Sequence, residues 1–320
     1  MKMHAIVFGM LAVALASSTA AGAESYPSHQ VRVVVPYTAG GSADLLGRIV
    51  AQKLSEKYKQ AFVVENRPGA GGHIGADFVA KAAPDGYTLV VGTIPIHSAY
   101  KLYPKLGYDP AKDLVAVSII GEFPSLLIVN RDLPVKTVQD LVALSKKHPL
   151  FYGSAGVGSA THLGAALFNQ VAGTTMQHVP YRGSSAAATD LMAGQIQVMF
   201  ENLPTAVPLA QTGRARAIAV TSKERSPSLP DVPTVAESGE PDYSFTAWYT
   251  IAAPAGTPPA ITQQLSRDID QIVHSDALKA KWAEMGVTPV GGTVADNTAY
   301  IARQTELWTR IIQKLHITAE

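Results

Sequence analysis

Val31-Arg32-Val33-Val34-Val35-Pro36-Tyr37-Thr38-Ala39-Gly40-Gly41-Ser42-Ala43-Asp44 carries the chain from an apolar, β-branched run through a glycine-rich turn into a helical pattern. The run from Val31 to Val35 has the composition of a short buried strand. Beyond the turn, Leu46, Ile49, Val50 and Leu54 recur at spacings of three and four, which places them on one helical face. The rhythm then repeats. Phe62-Val63-Val64 reads as a strand, Pro68 to Gly72 as a turn, Ile74 to Ala82 as a short helix and Thr88 to Val91 as another buried strand. Such alternation predicts an α/β fold built on a mostly parallel sheet with helices on both faces.

Leu114 to Ile120 is a further strand, and the pattern restarts after Gly121 with Ser125 to Val129. Thr137-Val138-Gln139-Asp140 has the spacing of a capping box opening a helix through Lys147. Strands are expected at Leu150 to Tyr152, Met176 to Val179, Ile196 to Phe200 and Ala217 to Val220. Helices are expected from near Ser159, Ser185 and Pro204, the last two ending at Gly194 and Gly213. The chain is extended again from Phe245 to Ala252. A helix from Pro258-Pro259 and a long final helix carrying Trp308, Ile311 and Ile312 close the sequence. Two α/β units in one chain are expected to hold a ligand in a crevice at the carboxyl ends of their strands.

Two glycine-rich loops sit where that crevice is expected. Pro36 to Asp44 is the first, and Gly153-Ser154-Ala155-Gly156-Val157-Gly158-Ser159-Ala160-Thr161-His162 is the second. Each follows a strand, precedes a helix and places Ser at or near the helix start. Unpaired backbone N–H groups there make an anion site that needs no cationic side chain. One such loop is found in every α/β protein; a similar loop heading each half of the chain says more. Asp44 reads as a helix cap, since a carboxylate beside a bound anion is repelled. Thr93 and His97 follow one strand, and Tyr181-Arg182-Gly183 and Glu201-Asn202 follow others, so all are candidates for the distal cleft wall. Arg182 is either a bidentate partner for a second carboxylate or solvated surface. Glu201 either holds the ammonium of an amino acid, caps a helix or bridges the two halves. His97 and His162 are as readily hydrogen-bonded scaffold as ligand contacts.

Composition narrows the class. Lys2 followed by an apolar run from Ala5 to Ala16 and by Ala21-Gly22-Ala23 reads as a cleaved export signal over residues 1–23, leaving Glu24 first. Lys+Arg total 26 and Asp+Glu 25; Lys2 departs with the leader, so the remainder is formally neutral. A neutral chain with scattered charges has no electrostatic footprint for nucleic acid or anionic lipid. With no Cys there is neither a disulfide framework nor a lipid attachment point, and an exported, unanchored protein is expected.

Taken in order, several motifs resemble those of the Bug-type periplasmic receptors of the tripartite tricarboxylate transporter family. They are Tyr26-Pro27, Val35 to Asp44, Val64 to Gly72, Pro84 to Leu89, Gly153 to Ser159, His178 to Gly183, Arg216 to Thr221, Leu229 to Thr234 and Ala253 to Pro258. The resemblance spans essentially the whole sequence after the leader. It implies a type II periplasmic-binding-protein fold: two Rossmann-like lobes joined by two crossover segments, with a ligand cleft between them. Crossings near Gly121-Glu122 and Tyr243-Ser244 then give one lobe from residues 24–121 and 244–320 and another from residues 122–243. It also implies a monomeric receptor that passes a di- or tricarboxylate, aromatic acid or acidic amino acid to integral-membrane subunits of a secondary transporter. Carried over, the ligand-binding residues are Tyr37, Thr38, Ala39, Gly40, Gly41, Ser42 and Asp44 from the first loop. Ser154, Gly156, Gly158 and Ser159 come from the second.

A competing reading is a periplasmic hydrolase with Ser154 or Ser159 as nucleophile and His162 or His178 as base. No Gly-x-Ser-x-Gly elbow is present, and no acid has a claim to orient either imidazole. Neither a phosphate-loop motif nor metal-ligand spacing occurs, so no cofactor or metal is expected.

Overall fold

One 17-residue strand, Leu114–Asn130, runs through both halves of the molecule and organises everything around it. The structure, a computed structural model, describes residues 26–315 and 317; the export-signal reading falls outside them. Before this strand come β1 (Val31–Val35), α1 (Ser42–Tyr58), β2 (Phe62–Asn66), α2 (His73–Ala80), β3 (Thr88–Gly92) and α3 (Ile94–His97). The long strand is β4, followed by α4 (Val138–Ser145), β5 (Phe151–Ser154), α5 (Ala160–Ala172), β6 (Gln177–Pro180), α6 (Ser184–Met192), β7 (Val198–Asn202), α7 (Leu203–Gln211) and β8 (Ala215–Val220). The chain returns through β9 (Thr246–Pro254), α8 (Pro259–Val273), α9 (Asp276–Met285), β10 (Thr288–Gly291) and α10 (Val294–Leu315).

Strand order is β2-β1-β3-β9-β4-β7-β5-β6, with β8 and β10 also paired to β4. The first half of β4 pairs with β9 and β10, and its second half with β7 and β8. Two lobes therefore share one strand. The mostly parallel sheet expected from the sequence is corrected here. β1 pairs in parallel with β2 and β3, as β5 does with β6 and β7, but every pairing of β4 is antiparallel, and β9 is antiparallel to β3 as well. Strands that carry the chain from lobe to lobe run against the strands they join. The break expected between Ile120 and Ser125 is also absent, because Gly121 and Pro124 lie within the strand at its passage between the two sheets.

Side-chain alternation along the strands builds the layers. Val31, Val33 and Val35 pack with Leu46, Val50 and Leu54 of α1, whereas Val34 turns to Val79 of α2 and Val90 of β3. In β4, Leu127 and Val129 join Leu163 and Phe168 of α5, while Leu126 and Ile128 face Leu191 of α6 and Leu203 of α7. Burial on both faces explains why these runs are continuously apolar. The capping box expected at Thr137 is present: its hydroxyl accepts from the Asp140 N–H, and Asp140 accepts from the Thr137 N–H. Among the described residues no helix is long and apolar enough to cross a membrane.

Candidate functional site

Between the lobes lies a cavity walled by Tyr37, Gly41, Ser42, Ala43, Thr93, Ala155, Ser159, Ala160, Thr161, Ser184, Asn202 and Tyr249. Its volume is about 20 Å³, room for one or two waters. A dicarboxylate is larger than that, so such a solute enters only with the lobes further apart. The walls follow from the topology. β1, β3, β5 and β7 all end at the cavity, each handing over to a helix that starts beside it.

Helix starts dominate the lining. Gly41 is the N-cap of α1, Thr93 of α3, Ser159 of α5 and Asn202 of α7, while Ser184 opens α6. Each start leaves N–H groups without a helical partner. Hydroxyls from Tyr37, Ser42, Thr93, Ser159, Thr161, Ser184 and Tyr249 stand among them. No Lys, Arg, His, Asp or Glu occurs among these lining residues. The surface is rich in neutral donors, suited to an anion held by N–H and O–H groups rather than by a counter-charge.

The candidate residues separate into groups. Tyr37, Gly41, Ser42, Thr93, Ser159 and Asn202 line the cavity. Tyr37 is fixed by bonds from its hydroxyl to the Gly71 carbonyl (2.9 Å) and to Thr93 Oγ1 (3.2 Å). Thr38, Ala39 and Arg182 instead form the seam that closes the lobes. The Thr38 N–H donates to the Arg182 carbonyl (3.3 Å), and Ser185 Oγ donates to the Ala39 carbonyl (2.9 Å). The Arg182 side chain is exposed, so the structure brings its carbonyl to the seam and leaves its guanidinium in solvent. Gly40 donates its N–H to Asp44 Oδ2, and Asp44 also receives Asn66 and Arg48. Burial pushes the Asp44 carboxyl up, but Arg48, Gly40 and Asn66 together outweigh it and hold the carboxyl below its ordinary range. Asp44, in the first turn of α1, thus ties down the residue before the N-cap Gly41.

Gly156 and Gly158 sit at the seam as well. Each has positive φ, and a Cβ on Gly156 would lie 3.5 Å from Gly71 Cα of the facing loop. Tyr181 turns aside to donate to Asp190. His97 is buried, hydrogen-bonded to Thr250 Oγ1 (3.2 Å) and stacked on Trp248; burial pushes its imidazole down to about 4, so it is neutral. Glu201 lies one layer behind the wall, 1% exposed.

Ser154 and His178 come close to the hydrolase arrangement, with Oγ and Nε2 2.5 Å apart. The pair cannot act on a solute in the cavity as it stands. Ser154 is fully buried, is absent from the cavity wall and also bonds both the N–H and the carbonyl of Gly156. His178 stacks on His162 at 4.0 Å and on Tyr152, not on a carboxylate. Ser159 is occupied too, donating to the Gly156 carbonyl at 2.6 Å. These bonds shape the second loop. Among the described residues, no group of three His, Cys, Asp or Glu side chains could hold a metal.

Sequence reasoning missed Ser184, Thr205 and Tyr249. Ser184 follows the Tyr181-Arg182-Gly183 motif directly, and reading Gly183-Ser184 as a helix start would have found it. Tyr249 lies mid-strand in β9, where only the tertiary pairing reveals the cavity beside it.

Comparison with known proteins agrees with this architecture. Residues 46–317 match the tripartite tricarboxylate transporter family receptor. Protein BugT of Bordetella pertussis is 34% identical over 312 residues, covering 96% of each chain. The solved structure of R. palustris Rpa4515 with adipate is 40% identical, with a TM-score of 0.89 over 92% of this chain and 99% of that one. MatC from Rhodopseudomonas palustris with bound malate is 30% identical, with a TM-score of 0.85 over 90% and 100%. With its two-lobed fold and its shared strand, this chain belongs to the tripartite tricarboxylate transporter family of receptors.

Proposed function

We propose that the chain is a periplasmic receptor that closes its lobes around a small carboxylate and delivers it to the integral-membrane subunits of a tripartite tricarboxylate-type transporter. The observation that carries this reading is a cavity walled by helix starts and hydroxyls, with no Lys, Arg, His, Asp or Glu among its lining residues. Similarity to receptors described with adipate and with malate supports the ligand class. The lobes are residues 24–121 with 244–320, and residues 122–243, moving about the crossings near 121–122 and 243–244. Tyr37, Gly41, Ser42, Thr93, Ser159 and Asn202 touch the ligand, and Thr38 to Gly40 with Gly156 and Gly158 complete the closed seam. The protein acts as a monomer and is not an enzyme.

A thermal-shift panel of adipate, malate, citrate, benzoate and glutamate, with a neutral sugar as control, tests the reading. Ligand at about 100 times its dissociation constant adds roughly 2.7 kcal/mol to stability by mass action. At least one acid is expected to raise Tm by several degrees. A shift with the sugar and with none of the acids contradicts the proposal. Export is checked separately: intact mass from periplasmic extract is expected to correspond to a chain beginning at Glu24. A chain retaining Met1 contradicts that step.

A further inference from the structure

We propose that Glu201 makes carboxylate capture proton-linked: closing the lobes over the anion draws one proton onto Glu201, and a relay of hydroxyls then turns Ser42 into a donor. The inference rests on the carboxylate-receptor reading above and assigns a positioning residue to that same cavity.

Glu201 stands near the end of β7, 1% exposed. Its Oε1 accepts from Thr205 Oγ1 at 2.5 Å, and Thr205 Oγ1 lies 2.7 Å from Ser42 Oγ. Ser42 belongs to α1 in the facing lobe and lines the cavity. Glu201 Oε2 is buried and meets no hydrogen-bond partner among the described residues. A carboxylate this buried is poorly compensated by the Thr205 bond and the weaker pull of the Ser184 hydroxyl. Burial accordingly pushes the carboxyl up to about 7, against the pull of Thr205 and Ser184.

A hydroxyl has one proton to give, so the direction of the relay depends on the charge at its end. With Glu201 ionised, Thr205 donates to it and Ser42 donates to Thr205. Ser42 then offers the cavity only lone pairs, which repel an anion. With Glu201 protonated, its O–H donates to Thr205; Thr205, whose other acceptor is the Asn202 carbonyl at a longer 3.2 Å, donates to Ser42 at 2.7 Å, and the Ser42 O–H is freed for the cavity. Tyr249 is the titratable group facing Glu201 from β9. Its phenol also bonds Ser42, receives Asn202 Nδ2 (2.8 Å) and is held neutral by burial. α6 and α7 present only the hydroxyls of Ser184 and Thr205 to the carboxyl. His162 of α5 and His178 of β6 are engaged with each other. Among the described residues, no cation acts on the Glu201 carboxyl.

The sign follows from linkage. On this proposal, opening the lobes returns water to the carboxyl, which falls back toward its ordinary value, so between about 4.3 and about 7 closure takes up a proton. Affinity therefore falls as pH rises through that window, by up to roughly tenfold per pH unit for one proton. A bound anion extends the window upward, since like charge further disfavours the ionised carboxyl.

Titration calorimetry with the acids of the panel, adipate and malate first, is run from pH 5.5 to 8 in two cationic buffers of different ionisation enthalpy. The parent is expected to take up close to one proton per adipate at the acid end of that range, with affinity declining toward pH 8. Glu201→Gln, whose amide donates to Thr205 at every pH, should bind adipate at least as tightly as the parent does at pH 6, with no proton uptake and a flat profile. Thr205→Val cuts the relay and removes a hydroxyl that pulls the carboxyl down, so Glu201 stays protonated on closure; it should lower the affinity while proton uptake persists, and it also serves if Glu201→Gln folds poorly. Binding by the parent with no proton uptake, or an unchanged slope in Glu201→Gln, overturns the relay and leaves the receptor reading intact. Absence of binding by every acid overturns both.

Discussion

Gly183→Ala is expected to weaken carboxylate binding by roughly one and a half to three decades while leaving the ligand-free protein as stable as the parent. Gly183 has φ 170°, an extended conformation open to any residue, so the substitution brings no backbone strain. What it brings is volume at the seam. A Cβ at Gly183 would lie 1.9 Å from Thr38 Oγ1 and 2.9 Å from the Thr38 nitrogen. Thr38 belongs to the first loop, on the opposite lobe, so the clash exists only when the lobes are together. The closed state would lose the Thr38–Arg182 bond and the contacts of Ser185 with Thr38 and Ala39. Three hydrogen bonds at ~0.5–1.5 kcal/mol each amount to about 2–4 kcal/mol, which corresponds to that range of affinity. Apparent affinity scales with the fraction of protein able to close. Calorimetry with adipate would measure the loss, and small-angle scattering would show whether adipate still contracts the molecule. A variant that binds and contracts like the parent would mean that the seam is not part of capture.

The basis for this prediction was only partly legible in the sequence. Val31 to Val35, the glycine turn and the Leu46-Ile49-Val50-Leu54 face are local signals, and each formed as its pattern predicts. The same holds for the Thr137 capping box, whose four residues contain the whole interaction. Strand direction is not local. Nothing between Leu114 and Asn130 tells which neighbours β4 will take, and Gly121 and Pro124 look like punctuation. In the fold, Gly121 is where β10 crosses closest: a Cβ there would lie 2.7 Å from the Thr288 carbonyl oxygen. The glycine permits a close approach within a continuous strand rather than ending it.

The cavity shows the same division. Residues directly after strands in the two loops were found because the strand–turn–helix pattern announces them. Thr205 and Tyr249 were not, since one is a helix residue and the other a mid-strand residue that tertiary structure alone brings to Ser42 and Asn202. Glu201 stood among the candidate cleft residues as an ammonium partner, a helix cap or an inter-lobe group. It is 1% exposed and reaches the facing lobe only through Thr205 and Ser42, a contact that no local pattern announces.

Gly158→Val acts on the second loop from inside and is expected to weaken adipate binding by two decades or more. Gly158 has φ +69°, a region that β-branched residues almost never occupy. The strain is of order 1–3 kcal/mol, and the loop can relieve it only by moving. Its added Cβ would also lie 2.9 Å from Leu102 Cδ1 and 3.6 Å from Pro95 Cβ, both on the facing lobe. Movement there breaks the bond from the Gly158 N–H to His162 Nδ1 (3.1 Å) and shifts Ser159, the N-cap of α5, away from the cavity. Losing two charge-assisted bonds to a carboxylate, at ~1.5–3 kcal/mol each, corresponds to roughly two to four decades of affinity. Unlike Gly183→Ala, this variant should also lose stability without ligand, because the strain is present in the open lobe too. Gly158→Ala, with a smaller side chain at the same φ, should fall between parent and valine in both measurements. Thermal unfolding without adipate and calorimetry with it separate the two effects. If Gly158→Val folds and binds as tightly as the parent, the carboxylate is not shared between the lobes, and the second loop only joins β5 to α5.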